Sequence, residues 1–126
     1  MTLRVLYVDD DPDIREIAAL SLGLDPDLAV ETRGSGREAL ERAREGGLDL
    51  ILLDVMMPVM DGRTTFAALR ELGLEPPVPV VFITARTQAH EIAQFRALGA
   101  VGVIAKPFDP MTLAREVRAL LSASTG

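Results

Sequence analysis

Five short apolar runs, each followed after a polar break by a helix-period pattern, divide this chain into similar units. The runs are LRVLYV (3–8), LAVET (28–32), LDLILLD (48–54), VPVVFIT (78–84) and VGVIA (101–105). Their nearly continuous Val/Ile/Leu character predicts strands covered on both faces, as in a parallel sheet. Strand and helix repeated five times with short connections predict an open α/β sheet. Right-handed crossovers then put helices on both of its faces. The 126 residues form one expected domain, with a core over about 3–121 and a short tail at 122–126.

The helices carry their own boundary signals. Asp11 is the expected N-cap of the first, with Pro12 at the first helical position, where a missing N–H costs nothing. Ile14, Ile17, Ala18, Ser21 and Leu22 follow at steps of three and four, which predicts one buried face. Ser35 and Glu38 have capping-box spacing at the start of the second helix. The third is expected after Asp61-Gly62, running to about Leu72 and ending at Gly73. The fourth is expected over Thr87–Leu98, stopping at Gly99. The fifth is expected from Asp109-Pro110, with Leu113, Val117, Leu120 and Leu121 on one side.

Composition narrows the function classes. Thirteen Lys and Arg against nineteen Asp and Glu give a net charge of −6, which argues against a nucleic-acid surface. There is no cysteine, hence no disulfide framework and no thiolate metal site. No leader is visible and no run approaches the roughly 18 apolar residues of a membrane span. A cytoplasmic protein that contacts neither DNA nor membrane is the expectation.

Ligands of open α/β sheets bind beyond the carboxyl ends of the strands, and chemistry collects there. Strand one ends in Asp9, Asp10 and Asp11; strand three ends in Asp54; strand four ends in Thr84; strand five is followed by Lys106-Pro107. Each has an ordinary explanation alone, as a cap, a turn former or a solvated charge. Asp11 and Asp61 are read as caps, and His90, the one histidine, as a surface helix residue. The joint pattern is what points to a site. Two carboxylates about 5 Å apart repel by roughly 3 kcal/mol at an effective dielectric of about 20. A hard divalent cation removes that repulsion, and an all-oxygen ligand set suits Mg²⁺. A carboxylate beside Mg²⁺ and a lysine is well placed to accept a phosphoryl group, with Asp54 as nucleophile.

The segments LYVDDDPDI, LDLILLDVMMPVMDG, VVFITA and GAVGVIAKPF, in this order and spacing, resemble the receiver domains of two-component response regulators across about residues 3–121. The resemblance implies the flavodoxin-like strand order 2-1-3-4-5, for which a receiver is a standard example. It implies that Asp54 is the phosphoacceptor, that Asp10 contacts Mg²⁺ directly and that Asp9 acts largely through a bound water. Mn²⁺ is expected to substitute for Mg²⁺. The backbone carbonyl of Met56 would be a further ligand, Thr84 the hydroxyl on the phosphoryl group and Lys106 its cationic partner. The Lys106-Pro107 peptide would be cis. Met56 and Arg86 occupy the two positions that tune the phosphoryl lifetime in the family. One position departs from the family: Val103 stands where Tyr or Phe is common, so there is no ring to follow Thr84 inward.

The implied function is a phosphorylation-dependent signalling switch, not an enzyme beyond its own phosphotransfer and autodephosphorylation. Its donor would be a sensor histidine kinase or histidine phosphotransfer protein, docking at helix one. Only SASTG follows Leu121, so output is expected through binding to another protein. A haloacid-dehalogenase-type phosphatase would need a second aspartate where Met56 stands. A flavodoxin-type module would need a hydroxyl- and glycine-rich loop where DDD stands. A receiver-fold binding module with little regulated phosphorylation is the remaining alternative, favoured slightly by Val103.

Overall fold

A computed structural model describes residues 2–125; Met1 and Gly126, the last residue of the expected tail, lie outside the described residues. The strands are β1 (Leu3–Val8), β2 (Leu28–Arg33), β3 (Leu50–Asp54), β4 (Val80–Thr84) and β5 (Gly102–Ala105). The helices are α1 (Pro12–Leu22), α2 (Gly36–Arg44), α3 (Gly62–Glu71), α4 (Ala89–Leu98) and α5 (Leu113–Thr125). Strand and helix alternate throughout. All ladders are parallel, and the sheet order is β2-β1-β3-β4-β5.

Strand periodicity divides the core in two. Leu6, Val8, Ile51, Leu53, Val80 and Phe82 face α2, α3 and α4, through Ala39, Leu40, Ala43, Phe66, Leu69 and Phe95. The alternate residues Val5, Tyr7, Leu50, Leu52, Val81, Ile83 and Ile104 face α1 and α5, through Ala18, Leu22, Leu113 and Val117. Successive side chains of a strand point to opposite faces, so apolar runs without alternation are what a sheet covered on both sides requires. The expectation holds for β1, β3 and β4. The edge strand β2 has only Leu28 buried, because it has one neighbour and half of its surface is open.

Several boundaries move inward for local reasons. The ladders of β3 and β4 begin at Leu50 and Val80 rather than at residues 48 and 78. Pro79 has no N–H to give, although its carbonyl accepts from Ile51 at 3.0 Å. α4 begins at Ala89, not Thr87, and its N-cap residue Gln88 makes no side-chain cap bond. Asp109 caps a turn first, accepting the Met111 N–H at 2.8 Å, before α5 starts at Leu113. α5 then continues through Thr125, so residues 122–125 of the expected tail are helical. On α1, Ala18, Ser21 and Leu22 are buried as expected, but Ile17 is 45% exposed. It sits on the flank of the buried stripe, outside the cover that α5 provides.

The caps read from the sequence are present. Asp11 accepts from the N–H groups of Asp13 and Ile14, with Pro12 opening α1. Ser35 accepts the Glu38 N–H at 3.1 Å, while Glu38 returns to the Gly34 N–H rather than to that of Ser35. Asp61 accepts the Thr64 N–H at 2.8 Å. The following Gly62 has a second role. A Cβ there would lie 2.4 Å from the Asp54 carbonyl oxygen and 2.8 Å from Val55 Cα. Both are main-chain atoms that have little room to yield, so α3 starts this close to the end of β3 only because residue 62 is glycine. Gly62→Ala is expected to destabilise the fold by about 1–3 kcal/mol, as overpacking does, measurable by urea unfolding.

Candidate functional site

The ends of β1, β3 and β5 carry Asp9, Asp54 and Lys106 to one place. Val8 pairs with Leu53 across the β1–β3 ladder, so Asp9 and Asp54 leave the sheet side by side. Both continue the alternation of the face that packs on α1 and α5, as does Lys106 beyond Ile104. One ligand oxygen from each of Asp9, Asp10 and Asp54 lies within 4.8 Å of the others. Asp9 and Asp54 are buried, while Asp10 is exposed. The Lys106 ammonium reaches both buried carboxylates, at 3.0 Å from Asp9 Oδ2 and 3.4 Å from Asp54 Oδ1.

The electrostatics are those of a crowded anionic site with one cation. Burial and the neighbouring charge of Asp9 push the Asp54 carboxyl up to about 6, against the opposing pull of Lys106. Burial works against the Lys106 charge, but the hydrogen bond to Asp9 and the charges of Asp54 and Asp9 outweigh it and hold the ammonium above its ordinary value. Thr84 is buried at the end of β4, where its hydroxyl accepts the Arg86 N–H at 3.0 Å. Its carbonyl accepts the Lys106 N–H at 2.9 Å, so the loops after β4 and β5 are tied together at the site. The Lys106–Pro107 peptide is cis.

A model of the response regulator receiver domain matches residues 5–118 of the chain. The chain belongs to that family. It is 39% identical over 122 residues to the DNA-binding response regulator MtrA of Mycolicibacterium smegmatis, covering 96% of this chain and 51% of that protein. It is 39% identical over 114 residues to protein-glutamate methylesterase/protein-glutamine glutaminase 2 of Carboxydothermus hydrogenoformans, covering 88% of this chain and 31% of that protein. The structure of chemotaxis response regulator CheY4 of Vibrio cholerae superposes with a TM-score of 0.85 at 35% identity, covering 95% of this chain and 99% of that one. The receiver domain thus spans about half the length of MtrA, and less of the methylesterase. Among the described residues no helix is long and apolar enough to cross a membrane.

The remaining expected receiver residues are spread around this centre. Met56 lies in the loop after β3 and is 78% exposed, so packing places no demand on its identity. Val103 is half-buried on β5, opposite Phe82 of β4, and packs against the core beneath α2, α3 and α4. His90 is an exposed helix residue, as expected, 3.9 Å from the Glu91 carboxylate. The acidic triad also fits a hard cation: it supplies only oxygen donors, and its surplus negative charge is only partly offset by Lys106.

Two contributors and one feature of the loop that follows Asp54 are not visible in the sequence. The Tyr7 hydroxyl donates to Asp9 Oδ2 at 3.1 Å; the signal was its position two residues before Asp9, on the same strand face. Arg15 of α1 donates to the Asp9 carbonyl at 2.7 Å, a contact that helix spacing alone does not disclose. Val59 has φ 68°, and the Met60 N–H donates to the Pro58 carbonyl at 2.7 Å around it. That three-residue turn, at a β-branched residue, strains the loop between Asp54 and α3.

The raised Asp54 carboxyl has a consequence for stability. An unfolded-chain aspartate titrates near 3.9. Between about pH 4 and 6 the folded, metal-free receiver therefore keeps a proton that the unfolded chain has released. Stability from this group is full below that window, falls as pH rises through it and is lost above it. Metal-free Asp54→Asn is expected to exceed wild type by about 1–3 kcal/mol at pH 7.5 and to differ little at pH 4. Denaturant unfolding at both pH values checks this.

Proposed function

We propose that this receiver domain is a phosphorylation-dependent signalling switch that accepts a phosphoryl group on Asp54 from a histidine kinase or histidine phosphotransfer protein. The observation that carries the reading is the convergence of Asp9, Asp10 and Asp54 within 4.8 Å, with one ammonium group on the two buried carboxylates. Asp9, Asp10, Asp54 and the Met56 carbonyl would hold Mg²⁺, or Mn²⁺ in its place. The bound cation would supply charge neutralisation for the carboxylates and for the phosphoryl oxygens. Asp54 must be ionised to act. One of its oxygens forms the new bond to phosphorus as the bond from phosphorus to the donor imidazole nitrogen breaks, leaving the imidazole to take up a proton. The Lys106 ammonium and Thr84 hydroxyl then bind phosphoryl oxygens. Apart from this transfer and the hydrolysis that returns Asp54 to the carboxylate and releases inorganic phosphate, the domain turns over no substrate.

The comparatively shallow seat of α4 supports the expected output. Phe95 is its single buried residue, set against Phe82 and under the Arg63 guanidinium, and residues 85–90 are exposed. A phosphoryl group of about 1.5–2 negative charges draws Thr84 and Lys106 toward Asp54. With Val103 in place of a ring, the signal passes through the backbone of residues 84–90 and the start of α4, which have few buried contacts to lose. A cytoplasmic protein partner reads the altered face of α4, β5 and α5. MtrA, about half of which the chain spans, is named as DNA-binding; the output of the receiver domain itself is assigned to protein binding, because it carries no basic surplus.

Phosphoryl transfer from a labelled kinase is expected to require Mg²⁺ or Mn²⁺ and to be abolished by Asp54→Asn with the fold intact. Undiminished labelling of that variant would remove the central claim. Amide chemical shifts with and without beryllofluoride and Mg²⁺ are expected to change through residues 84–106. Changes confined to the surroundings of Asp54 would favour a binding module with little regulated phosphorylation.

A further inference from the structure

Asp9 is completely buried, and both of its side-chain oxygens are engaged. Oδ1 accepts the Asp11 N–H at 3.0 Å; Oδ2 accepts the Lys106 ammonium at 3.0 Å and the Tyr7 hydroxyl at 3.1 Å. The loop geometry accounts for the Asp11 contact and the phosphoryl-accepting role for Lys106. Neither accounts for Tyr7, whose ring belongs to the core between the sheet and α1/α5, where phenylalanine would fill the same space.

The two donors on Oδ2 differ in kind. Lys106 sits on a flexible four-carbon stem, also lies 3.4 Å from Asp54, and is drawn to whatever charge Asp54 acquires. The Tyr7 ring is fully buried on β1 and meets Phe108 edge-on, with ring centroids 6.3 Å apart at 73°. Its hydroxyl is carried on a ring packed into the core and donates to Asp9 Oδ2. A carboxylate has a broad terminal torsion; the Asp11 N–H holds Oδ1, and Tyr7 is the donor that stays on Oδ2 when the mobile one departs.

We infer that Tyr7 is a positioning residue for the cation site: its hydroxyl holds the Asp9 carboxylate in the orientation in which Asp9 serves the metal. The inference rests on the reading of Asp9, Asp10 and Asp54 as the Mg²⁺ site. Donors behind metal-ligating groups are worth about 10–100-fold in metal affinity, and Tyr7 stands in that relation to Asp9. A purely structural hydroxyl would affect the stability of the metal-free protein and leave the affinity for Mg²⁺ unchanged.

Mg²⁺ titrations of wild type and Tyr7→Phe by calorimetry, with melting of each protein without metal, separate these roles. The expected result is a folded Tyr7→Phe protein whose Mg²⁺ affinity is lower by about tenfold. Equal or tighter binding by Tyr7→Phe overturns the inference alone. No Mg²⁺ binding by wild type overturns the cation-site reading and this inference with it. A second measurement needs no variant. Tyr7 is the one tyrosine and there is no tryptophan, so ultraviolet emission reports on this hydroxyl. Wild-type emission is expected to change with the same Mg²⁺ midpoint as the calorimetric titration; emission indifferent to bound Mg²⁺ overturns the inference even if Tyr7→Phe fails to fold.

Discussion

One ammonium group between two buried carboxylates holds the carboxyl end of this sheet together. Without Lys106, Asp9 and Asp54 would leave adjacent strands as unscreened like charges in a poorly solvated place, a few ångströms from a third carboxylate on Asp10. Buried charges persist where they are paired and hydrogen-bonded. Here the pairing is incomplete, because one ammonium is shared by two buried carboxylates with that of Asp10 close by. The strain shows at Asp54, whose carboxyl is pushed up to about 6 by burial and by Asp9. A site built this way is poised to take up positive charge, and the proposed roles of a divalent cation and a phosphoryl group follow from that imbalance.

The rest of the fold serves this arrangement through the two-residue period of its strands. The face formed by Val5, Tyr7, Leu50, Leu52 and Ile104 continues beyond the strand ends into Asp9, Asp54 and Lys106. Packing α1 and α5 on that face sets the height and direction of all three side chains. The opposite face, ending in Phe82 and Thr84, packs on α2, α3 and α4. The charged centre and Thr84 at the end of β4 are joined by the hydrogen bond between Lys106 N–H and the Thr84 carbonyl. That bond links the centre to α4, the helix with the fewest buried residues.

Much of this was legible because its signals are local. Continuous apolar runs marked the five strands, and Asp11 before Pro12, Ser35 before Glu38 and Asp61 before Gly62 marked three helix starts that the structure contains. The carboxylates, the hydroxyl and the lysine stood at strand ends, where an open α/β sheet gathers them. The signals failed where two elements had to be weighed against each other. Ile17 fits the helical stripe of α1, yet the breadth of the covering helix leaves it exposed. The α4 start read at Thr87 lacked a capping side chain to hold it. β2 reads as a covered strand, yet its edge position leaves most of it half open.

By itself, the sequence determined the number and order of elements, the caps, and which residue types would meet at the strand ends, since each depends on neighbours a few positions away. Tertiary structure alone decided how those residues share charge and hydrogen bonds. Lys106 bonds to Asp9, 97 positions away, as well as lying beside Asp54. Tyr7 turns its hydroxyl onto Asp9, Arg15 takes the Asp9 carbonyl, and Gly62 admits α3 to the end of β3. These are matters of tenths of an ångström between side chains whose positions are set by separately packed helices. No periodicity in a linear chain encodes them, because they exist only once both faces of the sheet are covered.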